Sequence, residues 1–150
     1  MQLKDIFPTE AGDFTPWLAN HEEIIEKITG KDCRLYGREV PLLRYYADLL
    51  FHYGNRQLIV VENQFGESDH DHFGKCLMYT FLTNANLTIW VAESFSQEYH
   101  NILHKVNINL VLCEVKVAQD STGRLYLKLN VTSKRGCKYL TYDLVDGVFV

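Results

Sequence analysis

The 150-residue chain is 47% hydrophobic and 13% aromatic, which is enough apolar material for one compact domain with its own core. No apolar run approaches the roughly 20 residues that a membrane-spanning helix needs, and the first residues lack the layout of a signal peptide. The sequence therefore predicts a single cytoplasmic domain over residues 1–150, without a membrane partner.

The net charge of −4 at pH 7 argues against a protein that coats nucleic acid through bulk electrostatics. Nucleic acid would need a local basic patch, although scattered surface cations are the simpler interpretation of the basic residues. Two short groups could form such a patch. They are Arg34, Arg38 and Arg44 in the first third, and Lys134, Arg135 and Lys138 near the C-terminus.

The first half of the chain predicts one helix followed by three strands. Thr15 before Pro16 fits a helix N-cap with proline at the first helical position, and apolar residues at helical spacing continue until Gly30. Runs of β-branched, aromatic and apolar residues then predict strands over 33–40, 44–53 and 58–64.

The second half predicts two helices, a central strand and a hairpin. Ser68 followed by acidic residues resembles a helix N-terminus, and that helix is expected to end near Leu82. The apolar run NLTIWVAE predicts a buried strand, a helix over 97–107 follows, and two alternating segments flank the turn QDSTG. The order αβββαβαββ indicates an α/β fold with a mixed sheet. The terminal DLVDGVFV fits either an added strand or a homodimer contact.

Two acidic residues are predicted to meet where neighbouring strands run side by side. If the loop between the second and third strands covers residues 54–56, Asp48 lies opposite Glu62. Gln64 shares the face of Glu62, because side chains two apart in a strand point the same way. A two-residue loop would instead place the carboxylates on opposite faces.

A close pair of carboxylates indicates a proton, a basic side chain or a metal ion between them, because the two charges repel. Mg²⁺, or Mn²⁺ in its place, suits a site with few protein oxygens, and such an ion can activate water against a phosphodiester. The alternative is that Asp48 and Glu62 are strand-end residues held by lysine or arginine.

Short motifs spread along the chain resemble one nuclease superfamily. ADL (47–49) followed by VEN (61–63) resembles the core of the PD-(D/E)XK nucleases, which have the restriction-endonuclease-like fold. Together with VENQ, the strings DFTPWL, REV, SDHDHFGKCLMYT, IWVAE and EYHNIL are similar to a prokaryotic branch of that superfamily. The resemblance implies a three-layer α/β/α sandwich that hydrolyses DNA, with Asp48, Glu62 and the backbone carbonyl of Asn63 as metal ligands.

The residue at the superfamily's lysine position is Gln64, which can orient water or contact a phosphate but carries no charge. Lys75 and Tyr79 resemble a Q-x-x-x-Y pattern on the next helix and share a face, so Lys75 can supply the missing charge unless it pairs with Asp71. Glu22 is the expected additional acid. The departure at Gln64 keeps open a second hypothesis, a catalytically weak or inactive nuclease-fold module that binds nucleic acid or a protein.

Overall fold

The computed structural model describes residues 1–150 and contains one eight-stranded mixed sheet whose strand order follows the chain. The helices are α1 (Leu3–Ile6), α2 (Thr15–Ala19), α3 (Glu22–Thr29), α4 (His70–Thr83) and α5 (Gln97–Ile102), with a π-helical turn at Glu10–Phe14. The strands are β1 (Cys33–Leu42), β2 (Tyr45–Tyr53), β3 (Gln57–Asn63), β4 (Leu87–Ala92), β5 (Leu110–Gln119), β6 (Leu125–Ser133), β7 (Gly136–Asp143) and β8 (Val148–Phe149).

The sheet is antiparallel at both ends and parallel in its centre. Strands β1, β2 and β3 form an antiparallel meander, β3, β4 and β5 run parallel, and β5 to β8 are again antiparallel. Parallel neighbours need a crossover, and α4 and α5 supply the two crossovers. None of the helices combines the length and the apolar character that crossing a bilayer requires.

Helices cover both faces of the sheet. On one face, α1, α2 and α3 pack in a large apolar cluster that includes Ile89 and Val91 of β4. On the other face, Cys76 of α4 and Tyr99 of α5 pack with Trp90 of β4. The alternation along β4 is that of a strand buried on both sides. The prediction of an α/β fold around a mixed sheet is confirmed.

The predicted order αβββαβαββ was incomplete at both ends of the chain. The first helix is divided into α2 and α3 near His21, whose ring Nδ1 lies 2.6 Å from the carbonyl oxygen of Trp17. The C-terminal residues form β7 and β8, so the added-strand interpretation of DLVDGVFV is the one found. Strand β7 was missed because its first four residues are exposed and show no alternating apolar pattern.

The start of α4 differs from the prediction by one residue. Asp69, rather than Ser68, is the N-cap, and its side chain accepts a hydrogen bond from the backbone N–H of His72. Ser68 instead accepts a hydrogen bond from the N–H of Ser96. These contacts fix the N-terminal end of α4, which lies near the last residues of β3.

Candidate functional site

The register between β2 and β3 brings Asp48 and Glu62 together. Leu49 pairs with Val61 and Leu50 with Val60, so the next position in the ladder sets Asp48 against Glu62. Directly opposed residues of an antiparallel ladder point to the same side of the sheet, so the two carboxyl groups lie beside each other. This is the pairing expected for the three-residue loop.

Glu62 is enclosed and carries an oxygen without a partner. Its exposed fraction is 3%, and its Oε2 atom is buried without a hydrogen bond. Burial, followed by the charge of Asp48, raises the pKa of Glu62 to about 9. Glu62 therefore holds a proton at neutral pH unless a cation replaces it.

Asp48 is partly buried beside Glu62. Burial raises its pKa, while the backbone N–H of Asn63, at 2.8 Å from Oδ2, acts in the opposite direction. The N–H and the carbonyl of one strand residue point to the same side, so the carbonyl of Asn63 also faces β2 near Asp48. The three predicted metal ligands thus share one corner of the sheet.

The donor set at this corner fits a hard divalent cation. No three carboxylate, imidazole or thiol side chains are grouped closely enough to hold a metal on their own. Two carboxylates, one backbone carbonyl and several waters would complete the shell of Mg²⁺, which releases its waters reluctantly. The unpartnered Oε2 of Glu62 is an oxygen that such an ion would satisfy.

Glu10 is a third acidic group near the pair, and the sequence reasoning missed it. Its Oε1 accepts a hydrogen bond of 2.7 Å from the backbone N–H of Phe65, two residues beyond β3. Burial raises the pKa of Glu10, the Phe65 N–H lowers it, and the charge of Asp48 raises it again. The only sequence signal was the superfamily's additional glutamate, for which the first helix offered more obvious candidates.

The π-helical turn that carries Glu10 is fixed by a compact set of hydrogen bonds. Thr9 donates its backbone N–H and its hydroxyl to Asp13, both at 2.8 Å, and accepts a hydrogen bond from Gly12. A Cβ atom at position 12 would lie 2.7 Å from the Thr9 hydroxyl, so a larger residue there would displace that hydroxyl. Thr15 then receives a hydrogen bond from the Asn63 amide, which ties this segment to β3.

Lys75 and Tyr79 of α4 face the carboxylates. Partial burial acts to lower the pKa of Lys75, but its hydrogen bond with Asp71 and the charges of Glu62 and Asp48 raise it overall. Its ammonium lies 3.2 Å from Asp71, which is the alternative pairing that the sequence left open. Tyr79 is 3% exposed, and burial together with the charges of Glu62 and Asp48 raises the pKa of its hydroxyl.

Glu22 does not join the site, contrary to the prediction. Its carboxylate accepts a hydrogen bond from the backbone N–H of Leu35 and lies 3.8 Å from Arg34. Leu35 pairs with Phe51, three residues beyond Asp48 along β2. Glu22 fixes α3 against β1, and Glu10 is the acid that approaches the pair.

Gln64 does not direct its amide toward the carboxylates, which corrects the expectation that it orients water or phosphate. Its Oε1 accepts a hydrogen bond from the indole of Trp90 at 3.0 Å. Its Nε2 donates to the carbonyl oxygen of Glu67 and to the carboxylate of Asp69. With both amide hydrogens committed and the residue 3% exposed, Gln64 connects the end of β3 to β4 and to the cap of α4.

We expect Gln64→Ala to lower the free energy of unfolding by about 2–4 kcal/mol, because the buried indole N–H of Trp90 would lose its acceptor and a cavity would form. Chemical denaturation followed by Trp fluorescence measures the change. Gln57→Ala, at an exposed position of β3, is the matched control and should cost less than about 0.5 kcal/mol. Equal stabilities for the two variants would contradict this role for Gln64.

The two histidines at the start of α4, His70 and His72, contact different partners. The ring Nδ1 of His70 lies 2.9 Å from the hydroxyl of Tyr99, whereas that of His72 lies 2.8 Å from Asp69. His72 is close enough to the carboxylates that its charge, like that of Lys75, lowers the pKa of Asp48. The surroundings of the pair therefore contain two basic side chains from α4.

An open cleft of about 310 Å³ lies beside the π-helical turn. Ala11 and Thr15 line one side, and Arg38 and Glu39 of β1 line the other. Arg38 pairs with Leu49 in the sheet, next to Asp48 along β2. Its exposed guanidinium makes no ion pair with a carboxylate and is available to a phosphate.

No family model matches the chain, and no curated protein matches it by sequence. Among solved structures, a repair endonuclease from Pyrococcus abyssi has a TM-score of 0.51 and 17% identity, covering 62% of this chain and 43% of that chain. An EndoMS-dsDNA2 complex has a TM-score of 0.49 and 12% identity, with 63% and 44% covered. This chain thus spans less than half the length of either match. The first likeness shows a nuclease-like fold, and any chemistry must be argued from the residues above.

Proposed function

We propose that this domain hydrolyses DNA phosphodiesters with the help of Mg²⁺ or Mn²⁺. The observation that carries the proposal is the register that sets Asp48 against Glu62, whose carboxyl group is buried and leaves one oxygen unpartnered. Folding has to desolvate two acids at one place, and a divalent cation compensates for that cost better than a shared proton does at neutral pH. DNA is the favoured substrate because the solved structure that this fold resembles is that of a repair endonuclease.

The ligands in this proposal are Asp48, Glu62 and the carbonyl of Asn63. A bound ion would polarise the phosphate and lower the pKa of a coordinated water. Lys75 would hold the phosphate through its ammonium, which takes the role that a lysine at position 64 would have. The hydroxyl of Tyr79 keeps its proton, because its pKa is raised, and so it can donate a hydrogen bond.

A second candidate function retains the fold and the ion but not hydrolysis. It is favoured by one observation: Gln64 is fully committed to Trp90, Glu67 and Asp69. The positive charge that Gln64 lacks would then have to come from Lys75, which also pairs with Asp71. A domain of this kind would bind nucleic acid, or a protein partner, without cutting it.

Nicking of supercoiled plasmid in the presence of MnCl₂ tests hydrolysis. We expect the wild-type domain to nick, Asp48→Asn to lower the rate by about 100-fold or more, and Lys75→Ala to lower it by about 10-fold or more. Glu114→Gln removes a carboxylate that pairs with Lys116 on β5 and should leave the rate unchanged. Nicking that persists in Asp48→Asn would contradict the proposal. Retained DNA binding with no nicking in any variant would select the binding module.

A further inference from the structure

A second groove lies at the other end of the sheet from the carboxylates. A depression here consists of a cavity of about 270 Å³ that shares lining residues with each of two others, of about 470 and 310 Å³. Tyr53, at the edge of this depression, is five residues beyond Asp48 along β2, a distance of roughly 17 Å. We call this depression the basic groove. Its defining residues are Lys31, Asn86, Asn109, Lys134 and Arg135.

The charge of the basic groove is positive on a chain whose net charge is −4. No aspartate or glutamate lines any of the three cavities. Lys31, Lys134 and Arg135 form no ion pair with a carboxylate, so their charges are not neutralised within the molecule. Such a concentration of uncompensated cations in a concave surface attracts an anion.

Lys31, Lys134 and Arg135 line the first cavity, Lys138 lines the third, and two of the three cations of the first cavity are held in place at its rim. The ammonium of Lys134 donates to the carbonyl oxygen of Val106 at 2.7 Å, and that of Lys31 lies 5.6 Å from the centre of the Tyr53 ring. Arg135 follows Lys134 in the turn between β6 and β7 and remains free to form a bidentate contact. The arrangement offers two positioned ammonium groups and a planar guanidinium.

The amides of Asn86 and Asn109 are oriented by the protein and leave one donor and one acceptor unused. Asn86 Oδ1 accepts a hydrogen bond from the backbone N–H of Leu58, and Asn109 Nδ2 donates to the carbonyl oxygen of Asn86, both at 3.1 Å. Asn86 Nδ2 and Asn109 Oδ1 therefore remain available. A donor beside an acceptor complements the edge of a nucleobase.

We infer that the basic groove is a nucleotide-binding site, separate from the carboxylate pair. The base would contact the two amides, while the phosphate would contact Lys31, Lys134 and Arg135 at the rim. The inference does not depend on hydrolysis at Asp48 and Glu62. Its ligand can be a free nucleotide or one nucleotide of a nucleic-acid strand, because both present the same base and phosphate.

Isothermal titration calorimetry in EDTA tests the inference without any contribution from a metal. The probes are adenosine monophosphate, adenosine, inorganic phosphate and an oligonucleotide of ten deoxyadenosines. We expect adenosine monophosphate to bind with a dissociation constant below about 1 mM, and adenosine and phosphate to bind at least about tenfold more weakly. Phosphate binding as tightly as the nucleotide would overturn the inference, as would the absence of nucleotide binding.

Charge reversal locates the binding. Lys31→Glu/Arg135→Glu should weaken the binding of adenosine monophosphate by at least about tenfold, whereas Lys4→Glu/Lys128→Glu makes the same change in net charge at exposed positions elsewhere and should weaken it by less than about twofold. Equal losses in the two variants would overturn the inference. In the ¹⁵N-labelled wild type, nucleotide must shift the side-chain amide signals of Asn86 and Asn109, and unshifted signals would also overturn it.

The oligonucleotide distinguishes the two sources of the ligand. Binding at least about tenfold tighter than that of adenosine monophosphate, and lost in Lys31→Glu/Arg135→Glu, identifies a strand as the natural ligand. Binding no tighter than that of the mononucleotide identifies a free nucleotide. Both results uphold the site. Failure of plasmid nicking would leave them unchanged, because no step at the carboxylate pair is involved.

Discussion

Asp48→Asn is expected to abolish the binding of Mn²⁺. Wild-type protein should bind one ion and, at a free concentration of about 100 times the dissociation constant, gain about 2.7 kcal/mol of stability, which for a chain of this size raises the melting temperature by roughly 5–10 °C. The variant keeps an acceptor for the Asn63 N–H but removes one of the two charges. Glu62 alone then binds the cation too weakly for the cation to displace its proton.

Thermal unfolding with and without MnCl₂, combined with calorimetry, measures this effect. Asp32→Asn is the matched control, because Asp32 is exposed and the same change of side chain leaves the carboxylate pair intact. The control should retain the full shift in melting temperature. An Asp48→Asn protein that still gains the shift would show that the ion binds elsewhere.

Glu62→Gln is expected to stabilise the metal-free protein at pH 8. The folded-state pKa of Glu62, about 9, lies above its ordinary value of 4.5, so the folded protein holds this proton more tightly than the unfolded chain does. The resulting contribution to stability is fully present below about pH 4.5 and is lost as the pH rises toward 9. Glutamine keeps a neutral hydrogen-bond donor for Asp48 at every pH. At pH 8 the free energy of unfolding of the variant should therefore exceed that of the wild type by on the order of 3 kcal/mol.

Urea denaturation at pH 5 and pH 8 in EDTA measures the gain, which should be several-fold larger at pH 8. Glu114→Gln, on β5, should show no such difference between the two pH values. A Glu62→Gln protein that is less stable than wild type at pH 8 would contradict the raised pKa. With saturating Mn²⁺ the order should reverse, because only the wild type retains both ligands.

The meeting of Asp48 and Glu62 was predictable from the sequence because it depends on local rules. Side chains alternate along a strand, and the three residues between β2 and β3 fix the register. The contacts of Gln64 depend instead on Trp90, a residue of another strand, and Glu10 reaches the site through Phe65, 55 residues away along the chain. No periodicity within one element carries that information. Strand β7 is a different case, because its exposed first half removes the pattern by which strands are recognised.

A residue outside the sheet, in the π-helical turn, helps to set the acidity around the carboxylate pair. Glu10 belongs to a segment outside the sheet that is attached to β3 through Phe65 and Asn63. Substitution of Glu10 can therefore change the acidity around the carboxylate pair while every strand stays where it is. Mutational tuning of ion preference would begin at this position, because the side chains of Phe14 and Thr15 in the same segment are buried.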